Sequence, residues 1–344
     1  DMYGGDGFWV QPDPTDSNIA YAESQGGNMG RIDLRTFKSV DITPQAGKDE
    51  EKLRWNWNTP IVTGQANGRN LYTAAQYLFK SKNQGRIWQR ISPDLTTNDK
   101  KKQQQEESGG LSEDNTSAEN HCTIFTIAES PLDENLIWVG TDDGNLQVVT
   151  DGGKSWINVS KNYEAAGIPA QTWVSSIEPS RFDKNTVYVT FDNHMYGDMN
   201  TYVAKSTDLG KTWTRIKSDE FTGFAHKIKE DLVNKGLLFL GTERGMFASN
   251  DGGARWFRMK NHIPDYAMVR DIQIQPKTND LVIATHGRGI MVVNDITPIR
   301  MLTKDVVDQD VVLFDSKPME ITTGKYGGGG SPVSGGWYGG NPDN

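Results

Sequence analysis

The chain has 344 residues, of which 35% are hydrophobic and 36 are glycine, and it carries a formal charge of −9 at neutral pH. This composition supports a packed core and excludes a disordered chain. The acidic balance argues against a nucleic-acid partner, which needs clustered lysine and arginine. The single cysteine, Cys122, excludes an intrachain disulfide and leaves the redox compartment open.

The chain opens on "DMYGGDGFWV", which reads as folded-domain sequence and not as a signal peptide; the expectation is that an N-terminal segment has been removed or lies outside this sequence. No apolar run reaches the roughly 18 residues of a membrane span. From there on, polar turns alternate with short apolar strands rich in β-branched and aromatic residues, such as Val187-Tyr188-Val189 and Leu238-Phe239-Leu240. Six such units begin near residues 8, 57, 122, 173, 223 and 268, and no amphipathic helix interrupts them. Residues 94–120 form a polar insertion that includes the only basic run, Lys100 to Lys102, and reads as solvated or as covering a neighbour. The Gly-rich residues 324–344 read as a linker or a truncated continuation.

One motif recurs four times: "SKNQGRIW", "VTDGGKSW", "STDLGKTW" and "SNDGGARW". The acid or amide at the third place (Asn83, Asp151, Asp208, Asp251) can accept backbone N–H groups across a turn. The glycine at the fifth place (Gly85, Gly153, Gly210, Gly253) permits the positive φ such a turn needs. Ser206 and Ser249 can satisfy neighbouring backbone groups, and the tryptophan at the eighth place (Trp88, Trp156, Trp213, Trp256) buries a large apolar face. Asn83 replaces the acid in the first copy, and an amide can fold the turn but cannot act as a general acid. Four copies of one active site are not needed either. The repeated acids are therefore read as structural.

A unit of three or four strands cannot bury both faces alone, so neighbours must stack, and radial stacking gives a β-propeller. The boxes, with "GTDDGNLQVVTDGGKSW", "GTERGMFASNDGGARW" and "IATHGRGIMVVNDI", resemble bacterial sortilin-like Asp-box (BNR-repeat) β-propeller proteins, whose repeats are related to those of xyloglucanases and sialidases. The resemblance spans roughly residues 1–300. It implies a large secreted or envelope protein, of which this chain is a part, with residues 301–344 as a C-terminal extension. It implies the fold more than the function, because Asp-boxes occur in hydrolases and in binding receptors.

A glycosidase needs two carboxylates about 5–10 Å apart, and no pair is marked out here. Asp6, set between glycines beside Phe8 and Trp9, is the catalytic candidate, and a tight turn leading into a strand is its structural reading. Asp142-Asp143-Gly144 reads as a hairpin turn, and Asp192 and Asp198 are further acids outside the boxes. The Arg-Ile-Pro signature of sialidases is absent. Trp55 and Trp57 fall on one side of an extended run and read as an aromatic platform for a glycan or peptide, or as inter-blade core. His286 and Arg288, in "THGRG", read as ligand contacts or as groups satisfying backbone carbonyls. The five histidines (121, 194, 226, 262 and 286) show no metal-ligand spacing, and no cofactor motif is present. The expected molecule is an all-β propeller acting as a non-catalytic extracytoplasmic module for a protein or glycan partner. A xyloglucanase-like glycoside hydrolase is the alternative.

Overall fold

The computed structural model describes residues 3–107, 120–260 and 262–314; the Gly-rich tail and residues 108–119 of the insertion lie outside them. The described residues hold 23 strands in six antiparallel sheets, five of four strands and one of three, arranged as the blades of a β-propeller.

Blade 1 is β1 (Gly7–Pro12), β2 (Ile19–Ser24), β3 (Asn28–Asp33) and β4 (Lys38–Asp41). Blade 2 is β5 (Ile61–Thr63), β6 (Leu71–Ala74), β7 (Leu78–Ser81) and β8 (Gln89–Arg90). Blade 3 is β9 (Ile124–Ser130), β10 (Asp133–Thr141), β11 (Leu146–Val149) and β12 (Ile157–Asn158). Blade 4 is β13 (Trp173–Pro179), β14 (Val187–Asp192), β15 (Tyr202–Ser206) and β16 (Thr214–Ile216). Blade 5 is β17 (Ala225–Glu230), β18 (Leu238–Thr242), β19 (Gly245–Ser249) and β20 (Phe257–Arg258). Blade 6 is β21 (Met268–Ile274), β22 (Leu281–His286) and β23 (Ile290–Val293). The blade starts fall within a few residues of the positions expected from sequence.

In blades 2 to 5 the middle strands are buried at most consecutive positions rather than at every second residue; β14 is buried from Val187 to Asp192. A blade with neighbours on both sides has no solvent face, so its strands read as continuous apolar runs. Five hydrophobic clusters join consecutive blades in chain order. In the cluster between blades 3 and 4, Trp138, Val174 and Phe191 are almost entirely buried, and each such side chain contributes roughly 1.5–3 kcal/mol through the area it removes from water.

Strand direction sorts the turns onto two faces. Because neighbouring strands are antiparallel, the turns joining the first to the second strand of a blade share one face with those joining the third to the fourth. The four repeated motifs lie there, on what we call the box face. The turns between second and third strands lie on the opposite face, together with the crossings from one blade to the next. This is the crossing face.

The motif turns are built by their own side chains. Asp208 Oδ1 accepts from Ser206 Oγ (2.8 Å) and from the Thr212 amide (2.9 Å), while Ser206 Oγ accepts from the Gly210 amide (2.9 Å). Ser249, Asp251 and Gly253 repeat this pattern, and Asn83 Oδ1 takes the same role toward Ser81 Oγ and the Ile87 amide, at 2.9 Å each. Asp151 accepts from the amides of Lys154 and Ser155. The indoles of Trp88 and Trp156 donate to the carbonyls of Ile42 and Ile91 in the preceding blades, whereas Trp213 and Trp256 donate within their own turns, to Gly210 and Gly253.

The sequence reading contains no helix. The structure adds α1 (Ser160–Ala165) in the crossing from blade 3 to blade 4, and α2 (Thr297–Arg300) after blade 6. Each is too short to show an amphipathic period. Tyr163 fixes α1 by burying its ring against Phe191 and donating its hydroxyl to the Gly144 carbonyl. The described residues 304–314 belong to a second unit and hold the single turn α3 (Lys304–Val307).

Candidate functional site

The crossing face gathers the chemically capable side chains in two clusters. The first spans blades 1 to 3. Glu23, at the end of β2, is 1% exposed and accepts from the amides of Thr59 (3.3 Å) and Gly27 (3.4 Å), while its Oε2 makes no hydrogen bond. Burial pushes its pKa up to about 8, against the pull of those amides. Asp142 is fully buried and accepts from the Thr123 amide (2.8 Å), the Thr123 hydroxyl (2.6 Å) and Asn56 Nδ2 (3.3 Å). Burial, with the adjacent Asp143 charge, pushes its pKa up to about 8 as well. His121 Nδ1 stands 3.8 Å from Asp142, and burial lowers the pKa of that ring.

The second cluster spans blades 4 to 6. His194 Nδ1 lies 2.6 Å from Asp192 Oδ1, and its ring stacks on Phe224 at 4.4 Å. Phe224 meets His226 edge-on at 4.7 Å. His226 Nδ1 is 3.2 Å from Arg270, and its Nε2 is 3.5 Å from Glu243. Burial, reinforced by the Arg270 charge, drops the His226 pKa to about 3, so this imidazole is neutral across the physiological range. Burial raises the pKa of Asp192, against the pull of His194.

Aromatic rings edge this face. Trp173, the first residue of β13, lies 5.2 Å from Phe125 of β9, and both are half-buried. Met195, Tyr196 and Met199, in the loop between β14 and β15, are exposed. The start of the insertion is pinned across the same face. Arg54 pairs with Asp94 at 2.6 Å, the Thr97 amide donates to Asp143 at 2.7 Å, and Lys102 reaches Gln171 (3.0 Å) and the Tyr196 hydroxyl (3.1 Å).

The structure distributes the sequence candidates over this face without joining them. Asp6 is exposed in the turn before β1, with its backbone paired to Gln25. Trp55 is not in a strand; it packs on Phe79 at 6.3 Å and lies so close to Gly27 that an added Cβ would stand 2.5 Å from the ring. Trp57 meets Phe8 edge-on at 6.4 Å. His286 and Arg288 are exposed in the β22–β23 turn, which is closed by Thr285 Oγ1 donating to the Gly289 carbonyl at 2.6 Å. Asp142 to Gly144 do form the turn between β10 and β11. Asp198 is held by Tyr202, Asn193 and Asn200. Sequence reasoning missed the Phe125–Trp173 pair and the His194–Phe224–His226 stack. Only Asp192 and His194, two residues apart in "FDNH", carried a local signal.

Among the described residues no group of three His, Cys, Asp or Glu is placed to hold a metal, and no helix is long and apolar enough to cross a membrane.

No protein-family profile matches the chain. A xyloglucanase from Paenibacillus sp is 24% identical over 211 residues, which cover 48% of this chain and 20% of that protein. The GH74 xyloglucanase of Xanthomonas campestris superposes with a TM-score of 0.58 at 18% identity, over 84% of this chain and 45% of that one. The extracellular domain of a protein assigned to one-component systems in B. thetaiotaomicron gives a TM-score of 0.57 at 15% identity, over 86% and 36%. The chain spans about a fifth of the length of that curated relative and under half of these solved structures. At such identities the likeness establishes architecture: the chain is an all-β, six-bladed propeller similar to those of GH74 xyloglucanases and of Bacteroides extracellular domains.

Proposed function

We propose that this propeller is an extracytoplasmic glycan-binding module that holds its ligand on the crossing face. The observation that carries the reading is a division of labour there: Tyr196 is exposed and Phe125, Trp173 and Trp57 are half-buried rings that reach solvent, while Glu23, Asp142 and Asp192 are buried. Trp173, Tyr196 and Trp57 offer apolar surface with a polar edge, and Phe125 adds a purely apolar ring, which suits stacking on sugar rings. Glu23, Asp142 and Asp192 are each at most 7% exposed; Glu23 Oε1 accepts from backbone amides, Asp142 from Thr123 and Asn56, and Asp192 Oδ1 from the His194 amide, while Glu23 Oε2 is buried without a partner. A glycosidase needs two carboxylates that reach the scissile bond from opposite sides. Likeness to extracellular propeller domains supports the placement outside the cytoplasm.

The second reading is a glycoside hydrolase, favoured by the sequence similarity to a xyloglucanase. One experiment separates the two. Titration with xyloglucan oligosaccharides should give binding that Trp173→Ala abolishes, and prolonged incubation should release no new reducing ends. Turnover by the wild type that disappears in a folded Asp192→Asn or Asp6→Asn variant would establish the hydrolase.

A further inference from the structure

On the box face, between blades 1 and 2, lies a cavity of about 290 Å³, near the low end of small-molecule pocket sizes. It is built from Asp13 to Thr15 in the β1–β2 turn, Gly68 to Leu71 at the β5–β6 turn, and Lys82 to Gln84 with Arg86 in the first repeated motif. One wall is tight, since a Cβ on Gly68 would stand 2.9 Å from Pro14.

The lining is cationic in a chain whose net charge is −9. Arg69, Lys82 and Arg86 are exposed around the cavity, and among the described residues none of their side chains makes a hydrogen bond or ion pair. Lys82 does lie within electrostatic reach of Glu134, a carboxylate already held by Asn67 and Asn70. The one acid in the lining, Asp13, is 7% exposed and spent. Its oxygens accept from the Thr15 amide and hydroxyl, the Asp16 amide, the Tyr21 hydroxyl and Gln84 Nε2.

The first motif differs from its three relatives at the position that faces this cavity. Where they carry Asp151, Asp208 and Asp251, this copy carries Asn83. Its Oδ1 performs the structural duty of the acid, accepting from Ser81 and Ile87. Its Nδ2 donates to nothing among the described residues. In the third and fourth motifs the corresponding second oxygen is occupied by Thr212 Oγ1 and Arg255 Nε. The exchange of acid for amide thus removes a negative charge from the cavity and adds a free donor to it.

We propose that this cavity binds a single carboxylate-bearing sugar unit, a uronate, with Arg69 and Arg86 holding the carboxylate and Asn83 Nδ2 and Lys82 donating to ring oxygens. Arginine matches a carboxylate in forked geometry, and the volume admits one small ring rather than a polymer strand. The site is on the opposite face from the glycan surface proposed above and does not depend on it.

The test is calorimetric titration of the protein with galacturonate and its short oligomers, with galactose as the neutral arm and galactose 6-sulfate as the sulfate arm. Galacturonate should bind, galactose should not, and the sulfate ester should bind more weakly than the carboxylate. Arg69→Ala/Arg86→Ala should raise the Kd at least tenfold, as expected for losing charge-assisted hydrogen bonds. Asn83→Asp keeps the turn's acceptor, so it should fold with an unchanged melting curve while weakening galacturonate by a similar factor. Absence of galacturonate binding at millimolar concentration would overturn the proposal. So would stronger binding of the sulfate ester, or equal binding by wild type and folded Asn83→Asp.

Discussion

Arg300 in α2 holds Asp231, which follows β17, through Nε at 3.0 and 2.9 Å from the two carboxylate oxygens and Nη2 at 2.8 Å from one of them. The Asp231 side chain is fully buried and that of Arg300 is 8% exposed. The pair fastens the segment after blade 6 to blade 5, and Arg300 Nη1 also reaches Asn279 at 2.7 Å. Removing the guanidinium leaves a buried carboxylate uncompensated, so Arg300→Met should lose about 3–5 kcal/mol. Urea unfolding reads this directly. Adding Asp231→Asn to Arg300→Met should recover part of the loss, and an unshifted urea midpoint in the single variant would show that the pair holds nothing.

The repeated motif predicts an asymmetry between two substitutions at one position. Asp208→Ala removes the acceptor used by Ser206 and by the Thr212 amide, and should cost on the order of 1 kcal/mol at this partly exposed turn. Asp208→Asn should retain most of that, because Asn83 already does the same work with an amide. Equal losses in the two variants, measured by denaturant midpoints, would refute the acceptor role.

Glu23 ties stability to pH in a direction opposite to that of an ordinary ion-paired acid. The unfolded side chain ionises near pH 4, at about the reference glutamate value, whereas the folded one keeps its proton until about 8. Its stabilising contribution is therefore complete below the unfolded value and is lost as pH rises toward the folded one. Glu23→Gln should gain stability relative to wild type as pH is raised from 5 to 8. Parallel stability–pH curves for the two proteins would rule this out.

Gly27 sits at φ +83°, and a Cβ there would meet three atoms of the Trp55 ring at 2.5 to 2.8 Å. Both the backbone and the ring oppose a side chain, so Gly27→Ala should cost about 1–3 kcal/mol. It should also displace Trp55 from Phe79 and shift the tryptophan emission toward the red. An unchanged emission maximum and midpoint would mean that the ring has room to move.

The blades were legible because their information is local. A strand–turn–strand unit declares itself through β-branched runs such as Val187 to Val189, and the motif turn through Asp208, Gly210 and Trp213 within eight residues. The crossing face was harder to read. Trp55 and Trp57 look paired in an extended run, yet the chain turns there, since Gly26 donates to the Trp57 carbonyl and Gly27 receives the Trp55 ring. Phe125 and Trp173 come from different blades, and only the stacking of blades 3 and 4 brings them together. Glu23 looks like any polar residue at a strand end, and its burial comes from the distant segment around Thr59.

The five inter-blade clusters run in chain order, from blades 1 and 2 to blades 5 and 6. Blade 1 leaves Phe8 and Val10 of its first strand exposed, and blade 6 leaves Ile290 and Val292 of its last. Among the described residues no such cluster joins blade 6 to blade 1; where cohesion is a sum of nearest-neighbour terms, blades 1 and 6 of this 344-residue chain, each joined to one neighbour by a cluster, are the first to open. Amide protons should then exchange with solvent in a gradient along the chain, earliest in β1 and β23 and latest in β10, β14 and β18. On this account the molecule melts like a zipper pulled from both ends, and the hydroxyl-bearing turn around Asp208 is among the last structures to come apart.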